Sequence, residues 1–363
     1  MENTQTQNIQ WKQMASLIAL YASVIIGWIA YHRYQPALLE TFGLTKYGYF
    51  LVWAQALILI ITPPIAGYLG DKYRARLGNR LRIITLGVSF AAMIFMTVAF
   101  TLIINPPEEF VYYALPVLVI LWLFAMSLFT SPAISMVELF SPSKSLPITV
   151  AALTITSDLL YSLEPVIVEI IDYLGGALTF ATGGIIVSLS GYFLNKYSTT
   201  TFDGLKEKRP DDKKPDFNAT KVLIIGAALG VVSGTVIEIF PEYLDRLNGL
   251  TGISGKWLVS VLLAITAIFS LPASKFVQDK NLNTQMTLFW VLTMLSLGGV
   301  FLIDNQIVMV VLLVIFAIFY AFLNVCSLPL ALRNTSIQHK VLGVGVFFCG
   351  FEIPNGIIDI LAF

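Results

Sequence analysis

Eleven stretches of this sequence run for about twenty residues almost without a charge, and no other feature restricts the possible folds so severely. In hydrocarbon such a segment satisfies its own backbone only as an unbroken helix. The stretches lie near 12–34, 47–70, 82–105, 112–136, 147–171, 175–195, 221–240, 256–274, 284–303, 307–331 and 341–363. They predict an all-α polytopic membrane protein. Charged residues make up 12% of the chain, about half the share of a soluble globular protein. That is too few to cover a water-facing surface, which excludes soluble enzymes and nucleic-acid binders. Cys326 and Cys349 both sit in apolar runs, and no Cys/His cluster has metal-ligand spacing, so neither a disulfide framework, a metal nor a cofactor is expected. The first apolar run is too long for a signal-peptide core and is expected to stay as the first span.

Threading these spans alternates the loops between two sides. Of the 22 lysines and arginines, all but Arg33, Lys46, Arg246 and Lys256 fall on one side. By the positive-inside rule that side is cytoplasmic, which predicts a multi-pass protein of the cell membrane with a cytoplasmic N-terminus. Residues 196–219 are polar and charged and read as a flexible cytoplasmic linker between a six-span bundle, 1–195, and a five-span bundle, 220–363. The two parts share ordered features. Arg33 stands three residues before Pro36 in span one, as Glu238 stands before Pro241 in span seven. Pro64 precedes Asp71 in span two as Pro272 precedes Asp279 in span eight. Glu164-Pro165 in span five answers Glu352-Ile353-Pro354 in span eleven. Three pairs in the same order favour a duplicated bundle.

After the second span the chain reads Gly67-Tyr68-Leu69-Gly70-Asp71-Lys72-Tyr73-Arg74-Ala75-Arg76-Leu77-Gly78-Asn79-Arg80-Leu81-Arg82. This resembles the cytoplasmic loop signature of the major facilitator superfamily, G-x-L-(A/S)-D-R followed by G-R-(R/K). The spacing from Asp71 to Arg80 is closer to the glycoside–cation symporter and sucrose-transporter-like branch, D-R-x-x-S-R-F-G-R-R. The resemblance implies the two-bundle major-facilitator fold and a cytoplasmic latch made by Gly67, Gly70, Asp71, Arg74, Arg76, Gly78 and Arg80. Physically, Gly67 and Gly70 permit close helix approach, Asp71 suits the positive N-terminus of a helix from the other half, and the arginines suit carboxylates or lipid phosphates. Residues 131–142 are similar to that branch's fourth-helix end but lack its arginine. The fifth span lacks the glycine-proline pattern of drug antiporters. The superfamily norm is twelve spans and eleven are read here, so either the last helix is absent from the protein or the chain is truncated.

Charge inside a span is costly, about 2.5–3.5 kcal/mol on insertion scales, and marks a polar cavity. Asp158, Glu164 and Glu352 fall inside spans and are the candidates for proton coupling or substrate binding. Asp158 and Glu164, six residues apart, lie roughly 120° apart around the helix and need not share a face. The bland alternative for each is a protonated carboxyl bonding helix to helix. In the resembling family spans one and seven meet at the outer gate, so Arg33 and Glu238 are candidates for an outer salt bridge; Arg33 has the alternatives of an anion contact and an interfacial snorkelling role. Trp28, Tyr31, Gln55, Tyr161 and Asn324, with Tyr34 and Trp53, offer ring faces and hydrogen bonds to a solute, although interfacial anchoring uses the same residue types.

The expected function is a secondary transporter that moves a small polar solute, sugar-like or organic, by alternating access with proton coupling. The chain has no nucleotide-binding loop, so a gradient must supply the energy. The expected partners are a small-molecule solute, protons and the lipid bilayer, with no nucleic acid, and the chain is expected to act as a monomer. The alternatives are a non-transporting receptor or assembly protein on the same fold, or a solute or drug exporter. A membrane enzyme is not expected, because His32 and His339 fall on opposite sides.

Overall fold

A computed structural model describes residues 8–41, 43–44, 47–104, 107–203 and 217–362. Among these, helices and short turns are the only regular elements. The long helices are α1 (Trp11–Thr41), α2 (Gly48–Leu77), α3 (Leu81–Ile104), α4 (Glu108–Ile134), α5 (Leu146–Ser162), α6 (Glu164–Asp203), α7 (Ala219–Gly234), α8 (Gly255–Val277), α9 (Leu282–Leu302), α10 (Gln306–Arg333) and α11 (Lys340–Ala362). Ten helical stretches among the described residues are long and apolar enough to cross a membrane. The chain is a multi-pass membrane protein.

Spans five and six do not coincide with single helices. Span five is α5 plus the first turns of α6, separated by a break at Leu163. Pro165, which has no N–H and restricts the residue before it, disturbs the ladder at this point. The chain then turns back at Gly175, whose φ of 74° is available to glycine at little cost. Contacts at the two ends demonstrate the reversal. Asp172 pairs with Arg33 near the end of α1, whereas Asn195 bonds Thr85 near the start of α3 and Lys12 lies over the Tyr197 ring. With α5 and the first turns of α6 making one crossing and the rest of α6 the next, the described residues make eleven crossings.

Two boundaries differ from the sequence expectation. α6 continues past 195 to Asp203, so the helix enters the region read as linker; residues 204–216 lie outside the described residues. α2 continues past residue 70 to Leu77, so the signature read as a loop lies mostly on the last turns of a helix. Nothing before Gly78 breaks that helix, and Arg74 and Arg76 complement the negative end of its dipole. Gly78, at φ 78°, ends it by donating its N–H to the Arg74 carbonyl.

In the first six crossings α3 packs on α4 and α6, and α1 on α5 and α6; in the last five α10 packs on α8 and α9, and α7 on α11. The two sets meet chiefly through α2 with α11 and α5 with α8. Close backbone approach fixes α11. A Cβ at Gly226 or Gly230 of α7 would strike the carbonyls of Phe347 and Phe351, and one at Gly350 the carbonyl of Leu223. This is small-xxx-small packing, which holds helices together where lipid supplies no hydrophobic drive. α3, α6 and α9 turn residues such as Leu86, Met93, Ile185, Leu189 and Leu295 outward, as a lipid-facing surface requires.

Candidate functional site: a carboxylate-lined central cavity

Between the two sets of crossings lies a cavity of about 290 Å³. α1 contributes Trp28 and His32, α2 Gln55, α5 Asp158 and Tyr161, α10 Asn324, and α11 Glu352, Asn355 and Asp359. Asp158 and Tyr161 are three residues apart and share a helix face; Glu352 and Asp359 are two turns apart and do the same. Glu238 reaches the wall from a π turn, Thr235–Ile239, that follows α7. Pro241 explains the turn. With no N–H to give the Ile237 carbonyl, it lets the ladder slip, and the Phe240 N–H bonds the Thr235 carbonyl instead. Such bulges are frequent at functional sites because they re-aim a side chain.

Four carboxyl groups therefore ring the cavity, and none of its lining residues is Lys or Arg. Asp158 is only 6% exposed, and its Oδ2 has no hydrogen-bond partner. The Asp359 Oδ2 accepts from Gln55 Nε2 at 3.2 Å, and the Gln55 Oε1 accepts from the Tyr31 hydroxyl at 2.9 Å. This relay joins α1, α2 and α11 across the two sets.

One face closes with charged contacts. Both Asp71 oxygens accept backbone N–H groups at the start of α11, from Val341 at 3.2 Å and Leu342 at 2.9 Å. The N-terminus of a helix is where a carboxylate gains most from orphan donors and the dipole. Gly67 and Gly70 leave room for the approach: a Cβ on either would come within 2.7 Å of α11. Arg74 donates to the Ile337 carbonyl at 2.6 Å. Arg80, fully buried, donates to the Ser135 carbonyl and hydroxyl and lies 3.5 Å from Glu138, which Lys340 also approaches at 3.3 Å. Lys144 pairs with Asp279 at 2.9 Å across the same face. Arg76 points to solvent.

The structure separates several candidates that the sequence placed together. Arg33 and Glu238 do not meet. Arg33 grips Asp172 with two bonds, 2.8 and 2.9 Å, at the exposed end of span five, while Glu238 faces the cavity. The proline offset that aligned them ignores the π turn, which rotates Glu238 inward. Glu164, just past the break at Leu163, is not among the cavity-lining residues, although it lies within electrostatic reach of Glu238 and Tyr161, which are, as well as of Lys256. Trp28, Gln55, Tyr161 and Asn324 line the cavity; Tyr31 lies one layer behind, stacked on Trp122 at 4.9 Å. Tyr34 bonds the Ile171 carbonyl, and Trp53 is exposed on α2. Asp359 and Asp172 were not singled out from sequence. The signal for Asp359 was its place seven residues after Glu352, on one helix face.

This arrangement is the major-facilitator fold. Three solved structures share it. The human organic anion transporter MFSD10 (TETRAN) aligns over 98% of this chain and 93% of its own, with TM-score 0.64 and 11% identity. The major facilitator superfamily proton:xylose symporter XylE, bound to 6-bromo-6-deoxy-D-glucose, aligns over 96% and 88%, with TM-score 0.61 and 16% identity. A bacterial homologue of the iron transporter ferroportin, in an outward-facing state with soaked iron, aligns over 96% and 90%, with TM-score 0.65 and 13% identity. At these identities the likeness is one of fold. No protein-family model matches the chain, and no curated protein matches it in sequence.

Proposed function

We propose that the protein is a secondary transporter of the major facilitator superfamily, not an enzyme, that moves a small polar organic solute by alternating access and couples the movement to protons. The observation that carries this reading is the carboxylate-ringed cavity between two packed sets of helices, closed on the basic face by Asp71 against the start of α11. Buried charge is too costly to keep without use, and a ring of carboxyls without lysine or arginine must take positive charge from elsewhere. Protons meet that need and bring a coupling gradient with them. The basic face is cytoplasmic in this reading, the protein works as a monomer in the cell membrane, and the residues on either side of 204–216 form the two rocking bundles. The spacing between Asp71 and Arg80 supports a relation to the glycoside–cation symporter branch. Fold relatives whose names report transport of an organic anion, xylose and iron support the transporter class and leave the solute open.

Uptake and counterflow in proteoliposomes, across a panel of sugars, organic anions and organic cations, test the proposal. Glu352→Gln is expected to abolish accumulation against a gradient while counterflow persists, because an amide mimics the protonated carboxyl. Accumulation with unchanged pH dependence in this variant would remove protons from the mechanism at this group. A fully folded protein that moves no member of the panel would favour a receptor or assembly role.

A further inference from the structure

We infer that the central cavity binds an organic cation, a protonated amine or a quaternary ammonium, with Asp158 as its counter-ion. The inference rests on the transporter reading for the idea of a moving solute, but the binding chemistry stands on the cavity itself. Asp158, Glu238, Glu352 and Asp359 come from three separate helical elements and face one space whose wall includes no Lys or Arg. The nearest arginine in span one, Arg33, is held by Asp172 with two bonds and is not on that wall. While the carboxyls are ionised, an anionic solute would enter against this field, and a neutral sugar would leave protons alone to balance it.

The Asp158 carboxylate makes the argument specific. It is more than nine-tenths buried, lines the cavity and has an oxygen without a hydrogen-bond partner, so the carboxylate has a contact still to make at the edge of the solute space. Asp359 differs in holding Gln55. Trp28 and Tyr161 present rings on the same wall, and a ring face attracts a cation within about 6 Å of its centroid, most strongly where water is excluded. A metal ion fits less well. Among the described residues no group of three or more His, Cys, Asp or Glu side chains converges as a metal site would. Carboxylates with aromatic faces, in a space of about 290 Å³, suit a compact organic cation. Solute and protons then compete for the same carboxyl groups, and the coupling they imply is exchange of one for the other.

The test has a binding arm and a transport arm, both on the full chain. In the binding arm, radiolabelled 1-methyl-4-phenylpyridinium is titrated onto detergent-solubilised protein, with xylose and benzoate as competitors. Saturable binding that neither competitor displaces is expected, weakened roughly tenfold or more by Asp158→Asn, as truncating one side of a buried charge pair requires. Asp158→Glu, which keeps the charge, should recover part of the loss, and Lys275→Gln, at an exposed residue outside the cavity wall and the closing contacts, should bind as the parent does. Monodisperse elution of each variant separates lost binding from misfolding. The transport arm follows the same three probes into proteoliposomes. Cation binding without movement would uphold the cation site and overturn the transporter reading. Binding and movement of xylose or benzoate with none of the cation would do the reverse. Absence of cation binding, or binding indifferent to Asp158→Asn, overturns the inference.

Discussion

At the scale of single residues, burial decides which charges matter. Asp71 and Lys144 both join the two sets of crossings on the basic face, but their settings differ. Lys144 and Asp279 are 69% and 71% exposed, and an exposed pair is worth about 0.2–1 kcal/mol. Asp71 is 9% exposed in its side chain and accepts two N–H groups of a helix start, where the charge is worth up to about 2 kcal/mol on the dipole alone. Counterflow rates should therefore fall severalfold in Asp71→Asn at near-normal abundance, and stay within about twofold in Lys144→Gln. Equal effects would mean that Asp71 sets topology only. Arg33 and Asp172 are a different case, a two-bond pair that is nearly half exposed. Reversing either charge should lower the unfolding temperature slightly, and exchanging the two residues should restore it. The same exchange between Arg33 and Glu238 should restore nothing, since those two do not touch.

At the scale of helices, shape outweighs charge. Gly230 and Gly298 are both helical glycines, yet the Gly230 Cα faces the Phe351 carbonyl while nothing lies within 4 Å of a Cβ at Gly298. Gly230→Val should therefore separate α7 from α11 and cost about 1–3 kcal/mol or more, read as lost abundance and a lower unfolding temperature. Gly298→Ala should be neutral or stabilising by up to about 1 kcal/mol, because alanine is the better helix former. These contrasts explain what the sequence reveals and what it hides. Apolar runs of about twenty residues disclose the crossings, since hydrocarbon imposes the length directly. The glycine and aspartate of the signature disclose the α2 contact with α11, because few residue types allow it. Local backbone events are hidden. The break before Glu164 and the π turn at Glu238 both stem from prolines visible in the sequence, but a proline does not state which way the preceding side chain will turn. Asp172 escaped for a related reason: it lies at the end of a span, where a charge is inexpensive and carries no signal.

At the scale of the whole molecule, the proposed alternating access requires the one closed face to open while the opposite face shuts. α11 belongs to both interfaces, packed on α2 from the first six crossings and on α7 from the last five. A movement that opens the basic face must free the α11 start from Asp71 while the α7–α11 packing holds, so the last five crossings should move as a unit. Labelling checks this on the cavity wall. Thr130 lines the cavity from α4, and Thr130→Cys can be made in a background with Cys326 and Cys349 changed to serine. With the basic face closed, an impermeant thiol reagent should modify that cysteine faster from the opposite face. Adding Asp71→Asn weakens the closed state. If the loss is about 1.4 kcal/mol, the ratio of the two states shifts about tenfold, and labelling from the basic face should rise in the same proportion. Labelling that is equal from both faces, before and after the second substitution, would mean that the cavity does not alternate. An increase from the basic face without the matching decrease from the other would mean that Asp71 seals a leak and does not select between states.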